Sequence, residues 1–278
     1  MSRIVSSSPG SSGSRSPGSV TFLLPAIVVL LMSAPALAQQ EGEAEPLVTD
    51  RPDATESSET VRPGRVQLEG GYTFLDSGAV EEHSLGEVLA RVGIVERLEL
   101  RVGLNSFTWL QTPAGRVSGL SDTSIGLKAK VLQGRGTGLR HPTVAVLAST
   151  TLPTGADELS SDAAEPELRI AAAWELSDRV GLSSNVGWGW LNDPATDQRF
   201  HELLGSVALG YGIDDRWGAF VEYFGFYPED EAGPDENFVD GGLTYLLTPD
   251  LQLDGRVGYR LDGAGDDFFV GFGTSVRW

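Results

Sequence analysis

The chain lacks cysteine altogether, and its 278 residues include only three histidines and 20 basic residues against 39 acidic ones. Without cysteine there are no disulfides and no thiolate metal sites, so the fold has to be held by its hydrogen-bonded ladder and its packing. The shortage of basic charge, a formal net of −19, argues against nucleic acid as a partner, because nothing neutralises a run of phosphates. His83 and His141 fall in expected connections at opposite ends of the fold, and His201 opens an expected strand, so no shared metal site is expected. A Ser–His pair for nucleophilic hydrolysis is not singled out by any motif. Gly70-Gly71 and Gly241-Gly242 are not phosphate-binding loops, since no helix follows either pair. The expectation is therefore no catalytic residue, no metal and no cofactor, with an enzyme the least favoured class.

Long apolar runs are missing too, except at the start. Residues 1–19 are mostly Ser, Gly and Pro with Arg3 and Arg15, Val20 to Leu31 is almost wholly apolar, and Ser33-Ala34-Pro35-Ala36-Leu37-Ala38 follows. A basic start, a short apolar stretch and a closing Ala-Leu-Ala have the form of a secretory signal, with cleavage expected after Ala38. Beyond it no run of 18 apolar residues occurs, which excludes helical membrane spans. It does not exclude spanning strands, which need only ~9–11 residues with alternate ones apolar.

Such alternation is what the chain does contain. Residues 39–63 form an acidic leader punctuated by proline, without periodicity, and from Gly64 the period becomes two. Val66, Leu68, Tyr72 and Phe74 oppose Gln67, Glu69, Gly71 and Thr73. Leu98, Leu100 and Val102 oppose Glu99, Arg101 and Gly103, and Phe268, Val270, Phe272, Val276 and Trp278 oppose Asp267, Gly271, Gly273, Ser275 and Arg277. Twelve such segments are expected between 64 and 278. Their connections alternate between short (96–97, 133–141, 177–178, 214–215, 248–250) and long (76–83, 111–121, 154–165, 192–199, 228–237, 262–266), and most of the net charge falls in the long set. The expected domains are a signal peptide at 1–38, a periplasmic leader at 39–63 and an all-β, transmembrane, antiparallel up-and-down β-barrel of about 12 strands at 64–278. Short turns and long loops on opposite sides imply that both termini are periplasmic.

A soluble sandwich would pack large apolar residues on its hidden face. Here the polar faces carry charges of both signs that a dry core does not accommodate. A hydrated lumen is expected instead, lined by Glu69, Glu87, Arg91, Glu99, Arg101, Lys128, Glu167, Arg169, Glu202, Glu222, Asp254, Arg256 and Arg260, which would set a transverse field for polar solutes. The opposite face, apolar with aromatics towards its ends, is expected to meet outer-membrane lipid and lipopolysaccharide. The final Phe272, Thr274, Val276 and Trp278 resemble the C-terminal signal read by the barrel-assembly machinery, an expected partner.

Leu47-Val48-Thr49-Asp50-Arg51-Pro52-Asp53-Ala54-Thr55-Glu56-Ser57-Ser58, followed by Val66-Gln67-Leu68-Glu69-Gly70-Gly71-Tyr72, resembles the opening of an outer-membrane barrel family named for the meta pathway of phenol degradation. Leu152-Pro153-Thr154-Gly155 and the strand with Asp122, Gly126 and Lys128 are similar to that family as well. The resemblance covers the whole chain after the signal and implies passive passage of small molecules, aromatic or hydrophobic compounds among them. A structural or binding barrel with acidic loops is the alternative. Thr49, Asp50, Arg51 and Pro52 form the leader motif. It acts either as a plug folded back into the lumen or, as the plainer and favoured reading, as a turn cap that anchors the leader to the rim.

Overall fold

The computed structural model describes residues 45–278 apart from 105, 230–232 and 263–266. The expected signal segment and its cleavage site lie outside the described residues. Alternating segments form β1 (Val66–Asp76), β2 (Glu81–Val95), β3 (Leu98–Gly103), β4 (Phe107–Thr112), β5 (Gly115–Leu120), β6 (Thr123–Leu132) and β7 (Thr143–Leu152). They continue as β8 (Glu165–Ser177), β9 (Val180–Asp193), β10 (Gln198–Gly212), β11 (Trp217–Pro228), β12 (Glu236–Thr248), β13 (Leu251–Arg260) and β14 (Phe268–Arg277). Among the described residues there is no helix.

Every neighbouring pair is antiparallel, and β1 pairs with both β14 and β2, so the sheet closes on itself. β3 and β4 together make the third stave and β5 and β6 the fourth, giving a closed 12-stave barrel. Closure matters physically, because an open edge in lipid would leave a row of backbone donors and acceptors without partners. The two ends meet squarely: the Val66 N–H donates to the Trp278 carbonyl at 3.1 Å and the Trp278 N–H returns to Val66 at 3.0 Å. We call the end holding this junction the near end and the other the far end.

Side-chain parity follows the sequence pattern. Leu127, Leu168, Ile170, Val186, Leu203, Val221, Leu243, Val257 and Phe272 are all exposed on the outer wall. Gln67, Glu69, Arg91, Glu99, Lys128, Asn185 and Glu222 are buried on the inner one. An apolar outside around a charged inside is the reverse of a soluble fold and suits lipid.

The staves depart from the expected boundaries in one region. The connections expected at 76–83 and 111–121 are largely strand: β2 starts at Glu81, pairs its first residues with β4, and β4 turns at Pro113-Ala114 into β5. This ribbon projects at the far end and is held by its ladder. Pro113, Gly115 and Gly119 break up its alternation, which is why residues 111–121 read as loop. An extra residue at Gly86-Glu87, with φ of 111° and 44°, reverses the in–out parity within β2. His83 consequently lies in a strand rather than a connection, stacked on Trp109 at 4.8 Å with its Nδ1 2.7 Å from the Tyr72 hydroxyl. His201 stacks likewise on Trp188, at 5.0 Å.

At the far end, Asp122 fastens the connection between β7 and β8. Its carboxylate accepts the N–H groups of Thr154 (2.9 Å), Gly155 (2.8 Å) and Ser161 (2.9 Å), and Gly155 lies against the backbone of Leu120 and Ser121 with no room for a Cβ. This gives the Leu152-Pro153-Thr154-Gly155 element its structural role.

Candidate functional site

The leader enters the near end, where the Leu47 N–H donates to the Pro249 carbonyl at 2.8 Å, turns in mid-barrel, and leaves past Gly64, whose N–H donates to Gly93 at 3.0 Å. It has no ladder of its own, so its backbone groups are satisfied by side chains of the inner wall. The Asp50 N–H donates to Glu69 Oε2 (3.0 Å), Ala54 to Glu222 Oε2 (2.7 Å), Glu56 to Asn185 Oδ1 (2.7 Å) and Val61 to Glu99 Oε2 (2.8 Å). Thr55 Oγ1 lies 2.7 Å from Ser206 Oγ and also donates to Glu222. These contacts reach β1, β3, β9, β10 and β11. The leader motif is thus threaded across the lumen rather than pinned at the rim, the arrangement that was the less favoured expectation.

Asp50 is the centre of the arrangement. Its carboxylate lies 2.5 Å from Arg101 Nη1, 3.0 Å from Lys128 Nζ and 3.2 Å from Arg91 Nη1, and its Oδ1 also accepts the Ser57 N–H at 2.8 Å, which closes the turn. Burial alone would raise its pKa, but the three cations outweigh that and hold it well below the ordinary aspartate range. Glu56 follows on Arg101 Nη2 at 2.6 Å and Glu59 on Lys130 at 2.6 Å. Arg51 reaches Glu87 at 2.7 Å, Asp254 at 3.4 Å and the Phe272 carbonyl at 3.2 Å. Its guanidinium fills the space that a side chain at Gly71 or Gly273 would take. Thr49 accepts from Gln252 Nε2 at 3.1 Å, and Pro52 follows a cis peptide.

Of the remaining sequence-derived lumen residues, Glu69 and Glu99 belong to the Asp50 cluster and the others fall into separate groups. Glu69 and Glu99 pair with Arg91, each at 3.0 Å. Glu167 pairs with Arg169 at 2.9 Å on β8, away from Asp50. Glu202 is buried on β10. Arg256 sits 3.7 Å from Asp240 and over the ring of Phe269 at 5.1 Å. Arg260 belongs to the far end, bound to Asp262 at 3.0 Å and Glu236 at 3.3 Å.

Sequence reasoning missed three parts of this site. The leader acids Glu56 and Glu59, which meet Arg101 and Lys130 on the wall, look like ordinary solvated charge until the leader is placed. Asp240 on β12 was passed over. The third part is an inward apolar group: Phe224 and Phe238 stack at 4.9 Å, and Phe269 lies 6.3 Å from each, all buried, with Ala54, Leu75 and Phe226 packed on them. The signal was the run Phe220, Glu222, Phe224, Phe226 at alternate positions, which puts aromatics on a charged face. On the other side of the leader a cavity of about 310 Å³ remains, lined by Thr49, Asp53, Thr55, Ser57, His141 and Ser183 among others.

Residues 49–278 match the protein family described as "Putative MetA-pathway of phenol degradation". The chain belongs to this family. Family membership carries the barrel over nearly the whole described chain and includes the leader motif from Thr49 onward. Among solved structures, an outer membrane channel from Pseudomonas putida F1 superposes with a TM-score of 0.64 at 12% identity, over 87% of this chain and 100% of that one. The NanC porin matches with a TM-score of 0.52 at 11% identity, and the KdgM porin in complex with disordered oligogalacturonate with 0.51 at 8%, each over 76% of this chain and 98% of the other. At such identities the likeness is one of fold, and the fold is that of outer-membrane channels and porins. No curated protein matches the sequence.

Proposed function

We propose that this family member is a passive channel of the Gram-negative outer membrane, with both termini in the periplasm and the leader as a lumen plug that governs passage. The observation that carries the reading is the leader itself, tied from Asp50 to Arg91, Arg101 and Lys128 inside a barrel wide enough to hold it. Twelve staves lie between the ~8 whose lumen side chains fill and the ~16–18 that leave an open aqueous channel. A single extended segment therefore decides whether solute passes. With the leader displaced, small molecules would pass between the cavity wall on one flank and the phenylalanine group on the other, a lining that accepts aromatic or hydrophobic solutes. The outer wall would lie in lipid and lipopolysaccharide, and the strand ending at Trp278 would be the segment recognised during assembly.

The leader's own acids make passage pH-dependent. Asp53 is pushed well above the ordinary range by burial and by facing Glu222 on β11, Asp240 on β12 and Asp50, while burial raises Glu56 against the pull of Arg101. A carboxyl whose pKa is higher docked than free takes up a proton on docking, so docking strengthens as pH falls through the raised values and weakens as pH rises through them. Asp50 has the opposite sign, and its contribution is lost only below the ordinary carboxylate range. Single-channel recordings on residues 39–278 refolded into planar bilayers should show lower mean conductance at pH 5 than at pH 8. Asp53→Asn, which mimics the protonated form, should flatten that dependence. Folded barrels that pass no current at any pH would rule out the channel.

A further inference from the structure

The wall that grips the leader is matched to a particular kind of molecule. β2, β3 and β6 bring Arg91, Arg101, Lys128 and Lys130 onto one strip of the lumen, and Glu69 and Glu99 are the acids of that strip. Arg91 engages both of them, through Nε and Nη2 on Glu99 (3.0 and 3.1 Å) and Nη1 on Glu69 (3.0 Å). What remains is a surplus of cations, formed by most of the Arg101 fork and the two lysine ammoniums. Three leader carboxylates meet that surplus: Asp50 on Arg101 and Lys128, Glu56 on Arg101, and Glu59 on Lys130. Where water is excluded an unmatched guanidinium is costly, so whatever fills this strip has to bring anionic groups to it.

The geometry narrows the partner further. One guanidinium holds two carboxylates, Asp50 on Nη1 at 2.5 Å and Glu56 on Nη2 at 2.6 Å, so the two acids stand as close together as those of a short dicarboxylic acid. A planar guanidinium presents fixed donors that match carboxylate oxygens, and here each arm takes a separate carboxylate, a spacing that suits a molecule carrying two of them. The acidity of the chain as a whole does not oppose this. Charges on exposed loops are screened within ~8 Å at physiological salt, whereas the strip is buried. We propose that the Arg101–Lys128–Lys130 strip is a binding site for small dicarboxylate solutes, and that Asp50, Glu56 and Glu59 occupy it as an internal substitute for such a solute.

This rests on the reading that solute enters the lumen, and the test separates the two. Protein expressed from the full chain and extracted folded from outer membranes is dialysed to equilibrium against labelled glutarate, with putrescine as a cationic control. Neutralising the substitute with Asp50→Asn and Glu56→Gln frees the strip, so glutarate should bind about tenfold or more tighter than to the unaltered protein, as expected when an internal competitor is removed. Adding Arg101→Gln should abolish that gain, and putrescine should show none of it. If the Asp50 variant loses the heat-modifiable gel mobility of a folded barrel, Glu56→Gln with Glu59→Gln replaces it, with Lys130→Gln as its reversal. Glutarate binding that is no tighter after neutralisation, that survives Arg101→Gln, or that putrescine reproduces would overturn the site. A variant that binds glutarate but carries no current would keep the site and sink the channel; one that conducts without binding would do the reverse.

Discussion

Asp50→Ala should convert a mostly closed channel into a mostly open one. The substitution removes one carboxylate and leaves Arg91, Arg101 and Lys128 facing one another across an apolar methyl group. Breaking a buried pair by deleting one partner costs about 3–5 kcal/mol, because the surviving charges keep their desolvation cost. Here three cations lose their shared anion, and the turn also loses the acceptor for the Ser57 N–H. The cost falls on the docked leader alone: undocked, the same cations are hydrated, and the barrel ladder does not include Asp50. Even the lower figure shifts the closed-to-open ratio by about a hundredfold or more. Single-channel recording should show long open periods at neutral pH where the unaltered protein shows brief ones, with heat-modifiable mobility unchanged. If open time stays as it was, Asp50 does not hold the leader.

The second large effect comes from shape rather than charge. Gly93 lies on the inner face of β2 two residues beyond Arg91, and a Cβ placed there would overlap the Arg62 carbonyl oxygen and come within 2.6 Å of the Val61 carbonyl. Those atoms are backbone and cannot swing aside as a flexible side chain would. Gly93 also exchanges hydrogen bonds with Gly64 and Arg65 at 3.0 Å, fixing where the leader leaves the lumen. Gly93→Val is therefore expected to expel residues 61–62 and open the channel as strongly as Asp50→Ala, without altering any charge. It should leave the ion preference of the open state unchanged, whereas Asp50→Ala should shift it towards anions. Reversal potentials under a salt gradient separate the two. A closed Gly93→Val channel would mean that the exit of the leader has no bearing on passage.

The two variants also mark where the sequence is informative. A period of two is read directly from Val66 to Thr73 or from Leu98 to Gly103, because each stave has one face in lipid and one in a polar lumen, and that contrast is written residue by residue. The parity of Glu69, Arg91 and Arg101 follows from it. Three features escape the same logic. The bulge at Gly86-Glu87 exchanges the faces of β2 partway along, so residues 81–85 alternate in the opposite phase to residues 87–93. The β4–β5 ribbon is held by its ladder, and Pro113, Gly115 and Gly119 interrupt its alternation. The inward phenylalanines contradict the rule that apolar means outward, since they pack on one another and on Ala54 inside the barrel.

The leader is the instructive case. Its backbone is satisfied by Glu69, Glu99, Asn185 and Glu222, residues 19 or more positions away along the chain, and local periodicity carries no trace of such partners. What the sequence did offer was a surplus of acids in the leader and the bases Arg91, Arg101, Lys128 and Lys130 on the polar faces of three neighbouring staves. Complementarity of that kind is visible only once both sets are known to share a space.

The most direct test of the plug uses the absence of cysteine. Thr55 Oγ1 and Ser206 Oγ lie 2.7 Å apart, joining the deepest part of the leader to β10. Thr55→Cys with Ser206→Cys places two thiols there in a protein that has no others. Single-channel conductance would be recorded on the oxidised barrel and again after adding a reductant to the same bilayer. A plug predicts a silent channel when the disulfide is closed and openings that return on reduction; equal current in both states would show that the leader does not govern passage.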